Sequence, residues 1–150
     1  MCWTPHATVA CIIEDDGRFL FVEEYSNGRL VLNQPAGHLE DGETFVQGAL
    51  REVLEETAWE VEITDLLGLY VYKPPHKPTT YHRTCFVARP IRQHKDRPLD
   101  GDIVRTLWLS YEEIKQQEER LRSPMVLKGI EDYLQGRRFP LDFIYQQTLS

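Results

Sequence analysis

The chain has 150 residues, of which 41% are hydrophobic and 27% charged, and a formal net charge of −7. This size and balance fit one globular domain over residues 1–150, and the acidic surplus argues against broad nucleic-acid binding, which needs a basic footprint. No apolar run approaches the ~20 residues of a membrane span, and Cys2, Cys11 and Cys85 form neither a zinc pattern nor a disulfide framework, so the expectation is a cytoplasmic protein.

Residues 7–13 read as a buried strand, Asp15-Asp16-Gly17 as a turn, and residues 18–24 as the returning strand. Asn27-Gly28 marks a second turn before a short strand over 29–33, after which Pro35 and Gly37 stop the strand and open a loop. Thr44 then suits an N-cap, and Gln47 completes a capping box for a helix. Val46, Ala49, Leu50 and Val53 recur at spacings of three and four, giving that helix an apolar face. Residues 60–63 and 66–72 read as strands separated by Thr64-Asp65, and the proline-rich stretch 73–78 as a loop. A strand over 81–88 alternates poorly near His82 and Arg83, so either faces a pocket or water. A polar crossing over 93–102 leads to a last strand over 104–109. Ser110 and Glu113 make a second capping box, opening a helix from 111 to about 119, and Ser123-Pro124 opens another that ends near Gly136. Strands interspersed with helices predict an α/β or α+β domain with a mixed sheet.

Chemistry concentrates on the first helix. Glu52, Glu55 and Glu56 are related by three and four residues, so they project from one strip near its C-terminal end. Like charges there repel one another and oppose the helix dipole, each by a few tenths of a kcal/mol up to about 1. A lone glutamate pair would read as a solvated acidic face. Three carboxylates at the unfavourable end, after a glycine loop, point instead to a divalent cation, and hard oxygen ligands suit Mg²⁺, with Mn²⁺ able to substitute. Arg51 reaches Glu55 at i+4 and can turn back to Glu43, an arrangement that orients a ligand. Arg29 is a modest candidate for phosphate contact. Tyr72, with Tyr25, Tyr81 and Trp3, is a candidate for stacking on an organic group, although each aromatic taken singly reads better as core.

Gly37, Glu43, Arg51, Glu52, Glu55 and Glu56 resemble, in register, the Nudix box: a glycine, a glutamate six residues on, Arg-Glu eight further, an apolar residue, and Glu-Glu two positions later. At background frequencies of about 5–7% each, six such matches coincide on the order of once in 10⁷ registers, so chance is excluded. The pattern's last glycine is Ala58 here. Glycine suits a left-handed helix exit, where alanine costs roughly 1 kcal/mol. The resemblance implies the Nudix fold, a mixed sheet sandwiched between helices, and metal-dependent hydrolysis of phosphoanhydride bonds. It also implies the Gly37 carbonyl as a metal ligand beside Glu52, Glu55 and Glu56, and either Glu52 or Glu55 as the base. Family members often add an acidic residue from a downstream loop, for which Asp102 is the candidate, with Asp100 behind it. His38 reads as an orienting residue outside the catalytic set.

The stretch Asn33-Gln-Pro-Ala-Gly-His-Leu-Glu40, the N-terminal strand pair and the segment from Leu121 to Pro124 and on to Pro140-Leu141 are similar to the NudJ-type phosphatases of that family. This implies nucleoside di- and triphosphates and the thiamine precursor hydroxymethylpyrimidine pyrophosphate as substrates, with orthophosphate released. Pro74 and Pro75 lie roughly where ADP-ribose-cleaving members carry a proline, which makes an ADP-ribose or related dinucleotide pyrophosphatase the enzymatic alternative. A non-catalytic Nudix-like ligand-binding module is the other, although such modules typically lose carboxylates that this chain keeps. The expected partner is a small phosphorylated metabolite or nucleotide, without nucleic acid or membrane, and the expected assembly a monomer or small homo-oligomer.

Overall fold

The computed structural model describes residues 2–147. Asp16, Gly17, Asn27 and Gly28 have φ of 51°, 78°, 51° and 76°, the paired left-handed conformation that a two-residue hairpin turn requires. These turns join β1 (His6–Asp15), β2 (Arg18–Ser26) and β3 (Arg29–Asn33). β1 runs through the middle of the sheet. It pairs antiparallel with β4 (Ala36–His38) and parallel with β6 (Tyr81–Gln93). β5 (Trp59–Tyr72) lies antiparallel to β6, and β7 (Ile103–Ser110) antiparallel to β2. Three α-helices complete the described fold: α1 (Phe45–Thr57), α2 (Tyr111–Gln116) and α3 (Pro124–Leu134).

Because successive side chains of a strand point to opposite faces, β1 feeds two cores. Val9, Cys11 and Ile13 pack with Ala49 and Val53 of α1 and with Leu66 and Phe86. Ala10 and Ile12 pack with Ile114 of α2, Val126 and Ile130 of α3, and Phe21. The sheet is thus mixed and lies between helices, as the sequence and the resemblance led us to expect. Among the described residues no helix is long and apolar enough to cross a membrane. The chain after α2 folds back on the sheet: Leu121 bridges Leu32, the Arg122 N–H donates to the Leu32 carbonyl at 2.9 Å, and further on Phe139 bridges Leu66.

Several local expectations change. The segment after Pro35 is not only loop, because β4 pairs with β1 through three residues. Thr64-Asp65 does not end a strand. β5 continues through a register shift between Ile63 and Asp65, a bulge in which the Thr64 hydroxyl donates to the Val87 carbonyl at 3.3 Å. The helix after Ser110 stops at Gln116, and a 3₁₀ turn (Glu118–Arg120) follows. Leu50 is 36% exposed, since the buried strip of α1 runs through Gly48, Ala49, Val53, Glu56 and Thr57. Trp3 and Tyr25, which read singly as core, are 65% and 60% exposed, lying before β1 and near the end of β2, outside both cores.

Candidate active site

α1 is secured at both ends. The Thr44 hydroxyl accepts the Gln47 N–H at 3.0 Å, and the Gln47 side chain accepts the Thr44 N–H at 2.9 Å, the capping box expected from the sequence. At the other end Ala58 has φ 62° and ψ 15°, and its N–H donates to the Leu54 carbonyl. The polar crossing docks here: the His94 N–H donates to the Ala58 carbonyl at 2.8 Å and the Asp100 N–H to the Glu55 carbonyl at 3.0 Å. These bonds satisfy carbonyls that a helix end leaves without partners. They also bring Asp100, and Asp102 two residues on, to the end of the helix that carries the carboxylates.

Arg51 gathers the box. Its Nε donates to Glu43 at 2.5 Å and its Nη2 to Glu43 at 2.9 Å and to the His38 carbonyl at 3.0 Å. Its Nη1 donates to Glu52 at 2.8 Å and Glu55 at 3.1 Å. The reach to Glu55 and the return to Glu43 are those predicted from spacing. This contact with Arg51 holds the Glu43 carboxyl below the usual range. Burial raises Glu52 despite Arg51, with Glu55 and Asp100 adding repulsion. Glu56 is pushed up to about 9 by burial, an effect only partly offset by the Ala36 N–H that it accepts at 2.9 Å. Gly37 faces these groups so closely that a Cβ there would lie 2.2–2.4 Å from the Glu52 carboxylate atoms, a space only glycine leaves free.

A cavity of about 650 Å³ opens over this arrangement. Of the residues singled out from the sequence, Gly37, Glu52, Glu56, Asp102 and Tyr72 line it, as do Asp100 and Tyr81. Glu55 and Arg51 adjoin it through the contacts just described. Arg29 is not brought there: it is exposed and donates to the Glu119 carbonyl at 3.4 Å. Among the described residues no group of three or more His, Cys, Asp or Glu side chains is arranged to hold a metal ion. Arg51 engages Glu52 and Glu55, and the Ala36 N–H engages Glu56. The donor chemistry nevertheless fits a hard dication. Mutually repelling carboxyl groups, partly or fully buried, face Gly37 of β4, and a cation supplies the charge that favours their ionised form.

Sequence reasoning missed a buried polar group beside the carboxylates. Arg83, on β6, donates from Nη2 to the side-chain oxygens of Asn33 and Gln34, each at 3.2 Å. Asn33 donates to Glu24 at 3.3 Å, and Glu24 pairs with Arg122 at 2.9 Å. The only signal was the faltering alternation at Arg83, which left its direction open.

A family model of the NUDIX domain matches residues 4–128. The chain belongs to the NUDIX family. Phosphatase NudJ of Escherichia coli is 41% identical over 140 residues, covering 93% of this chain and 90% of that protein. Phosphatase NudJ of Shigella flexneri matches to the same extent. A NUDIX hydrolase from Nitrosomonas europaea superposes with a TM-score of 0.95 at 42% identity, over 98% of this chain and all of that one. An ADP-ribose pyrophosphatase from Streptococcus suis, 16% identical with a TM-score of 0.69, shares the fold alone. The protein is therefore a Nudix hydrolase related to the NudJ phosphatases, and it cleaves pyrophosphate linkages. Nudix hydrolases generally use a divalent metal.

Proposed function

We propose that this Nudix hydrolase removes the terminal phosphoryl group from nucleoside di- and triphosphates and from hydroxymethylpyrimidine pyrophosphate, releasing orthophosphate, with Mg²⁺ as the metal and Mn²⁺ able to replace it. The observation that carries this reading is the reach of the likeness to phosphatase NudJ: it covers 93% of the chain, and so extends beyond the box to much of the cavity wall. The Gly37 carbonyl, Glu52, Glu55, Glu56 and Asp102 would hold the metal, which neutralises phosphate oxygens and lowers the pKa of a water. Glu52 or Glu55 takes the proton from the attacking water. Arg51 keeps both carboxylates oriented. Tyr72 offers an aromatic face to the organic part of the substrate.

Which phosphorus is attacked depends on placement, because a displacement of about 1 Å can cost ~10²-fold. Hydrolysis of a nucleoside triphosphate in ¹⁸O-labelled water, followed by mass spectrometry, should place the label in orthophosphate. Pyrophosphate and nucleoside monophosphate as the only products would overturn terminal attack. Pro74 lines the cavity, which keeps the ADP-ribose reading in play. A nucleoside diphosphate should be turned over and ADP-ribose left almost untouched; the reverse preference would install that second reading.

A further inference from the structure

We propose that Arg83 binds the phosphate chain of the substrate, gripping it from the floor of the sheet while the Glu52–Glu56 carboxylates reach in from α1. The inference rests on the hydrolase reading above but concerns a residue outside the box.

Strand register sets the position of Arg83. It pairs with Thr8 on β1 and with Tyr70 on β5, and Thr8 pairs in turn with His38 on β4. Tyr70, Arg83, Thr8 and His38 therefore form one row across four strands. Two residues along, on the same face, Tyr72, Tyr81 and His6 form the next row. The cavity is lined by Tyr72 and Tyr81 from the outer row, and by Arg83, Thr8 and His38 from the inner one. An aromatic shelf thus lies beside a cation, and the carboxylates share the same space.

Arg83 is only 5% exposed, yet its protein partners are neutral. The two hydrogens of Nη2 go to the carboxamide oxygens of Asn33 and Gln34, which leaves three donors on Nε and Nη1. Among the described residues no fully buried side-chain nitrogen or oxygen lacks a partner, so donors left without one keep some exposure, and Arg83 lines the cavity. Of the cavity's carboxylates, Glu24 is engaged by Arg122, Glu52 by Arg51 and Glu56 by the Ala36 N–H, and Arg83 is hydrogen-bonded to none of them. A guanidinium stays charged in proteins, and burying it without a counter-charge is strongly unfavourable. Carboxamides orient the fork without neutralising it, as a carboxylate would. The arrangement keeps direction and leaves charge free for an oxyanion. The neutral edge of a nucleobase would leave that charge uncompensated, whereas a phosphate compensates it through charge-assisted hydrogen bonds.

Two non-hydrolysable probes test this in the presence of Mg²⁺: methylenediphosphonate, which has no base, and α,β-methylene-ADP. Calorimetric titration should show Arg83→Gln binding both at least tenfold more weakly than wild type. Arg83→Lys, which keeps the charge but not the fork, should fall between and serves where the glutamine variant fails to fold. In the wild-type protein, the Arg83 Nε–H resonance should shift on adding methylenediphosphonate. Binding within twofold of wild type, loss confined to the nucleotide analogue, or an unmoved resonance at saturation would each overturn the role. Wild-type turnover of a nucleoside diphosphate, measured alongside, tests the hydrolase reading separately. Turnover with unchanged probe binding in the variants sinks only the assignment to Arg83.

Discussion

Burial decides the protonation of Glu56, and pH reads it out. Its carboxyl is pushed up to about 9 in the fold, against an ordinary 4.5, so between those values the folded protein keeps a proton that the unfolded chain gives up. A group raised in this way makes metal-free stability fall as pH climbs through that window. Glu56→Gln removes the titration while its side-chain oxygen can still accept the Ala36 N–H. The metal-free variant should therefore be more stable than wild type at pH 8, by up to a few kcal/mol, and almost equal to it at pH 4, where wild-type Glu56 is largely protonated in both states. Thermal melts at the two pH values check this; an equal gap at both would show that packing rather than charge separates the proteins.

At the scale of the element, α1 carries the site and its exit is under strain. Ala58 holds φ 62° where the family pattern has glycine. Ala58→Gly should leave activity nearly intact and stabilise by about 1 kcal/mol or less, as read from guanidine unfolding curves. A large gain in activity would show instead that alanine had disabled the site. Much of α1 was legible in advance because its features are local: the Thr44 cap, the carboxylate strip and the Arg51 contacts follow from spacings of three, four and eight along one chain. Elements that depend on distant partners were not legible. β4 exists only because β1 lies beside it, the Thr64 bulge only because β6 sets the register, and Leu50 is exposed because the buried strip of α1 runs through Ala49, Val53 and Glu56 instead. Arg83 could be seen to break the alternation of its strand, but its direction is decided by Asn33 and Gln34 from another part of the chain.

For the whole molecule, a metal that binds only the folded state should act as a stabiliser. At one hundred times its dissociation constant a ligand adds about 2.7 kcal/mol. For a chain of this size that corresponds to a rise in Tm of roughly 5–10 °C. Differential scanning calorimetry with Mg²⁺ and with a chelator checks it, and no rise at saturating metal would remove the cation from the fold's energetics. The parallel pairing of β1 with β6 also governs when the site comes into being. His6 pairs with Tyr81, so on the ribosome the β1–β2 hairpin and α1 emerge well before the strand that completes their sheet. Such long-range pairing is slow to form and leaves apolar surface uncovered meanwhile. Gly37 depends on β4, β4 on β1, and β1 on β6. A nascent chain that stops short of Tyr81 would carry all six box residues and still lack the strand that brings Arg83 to them.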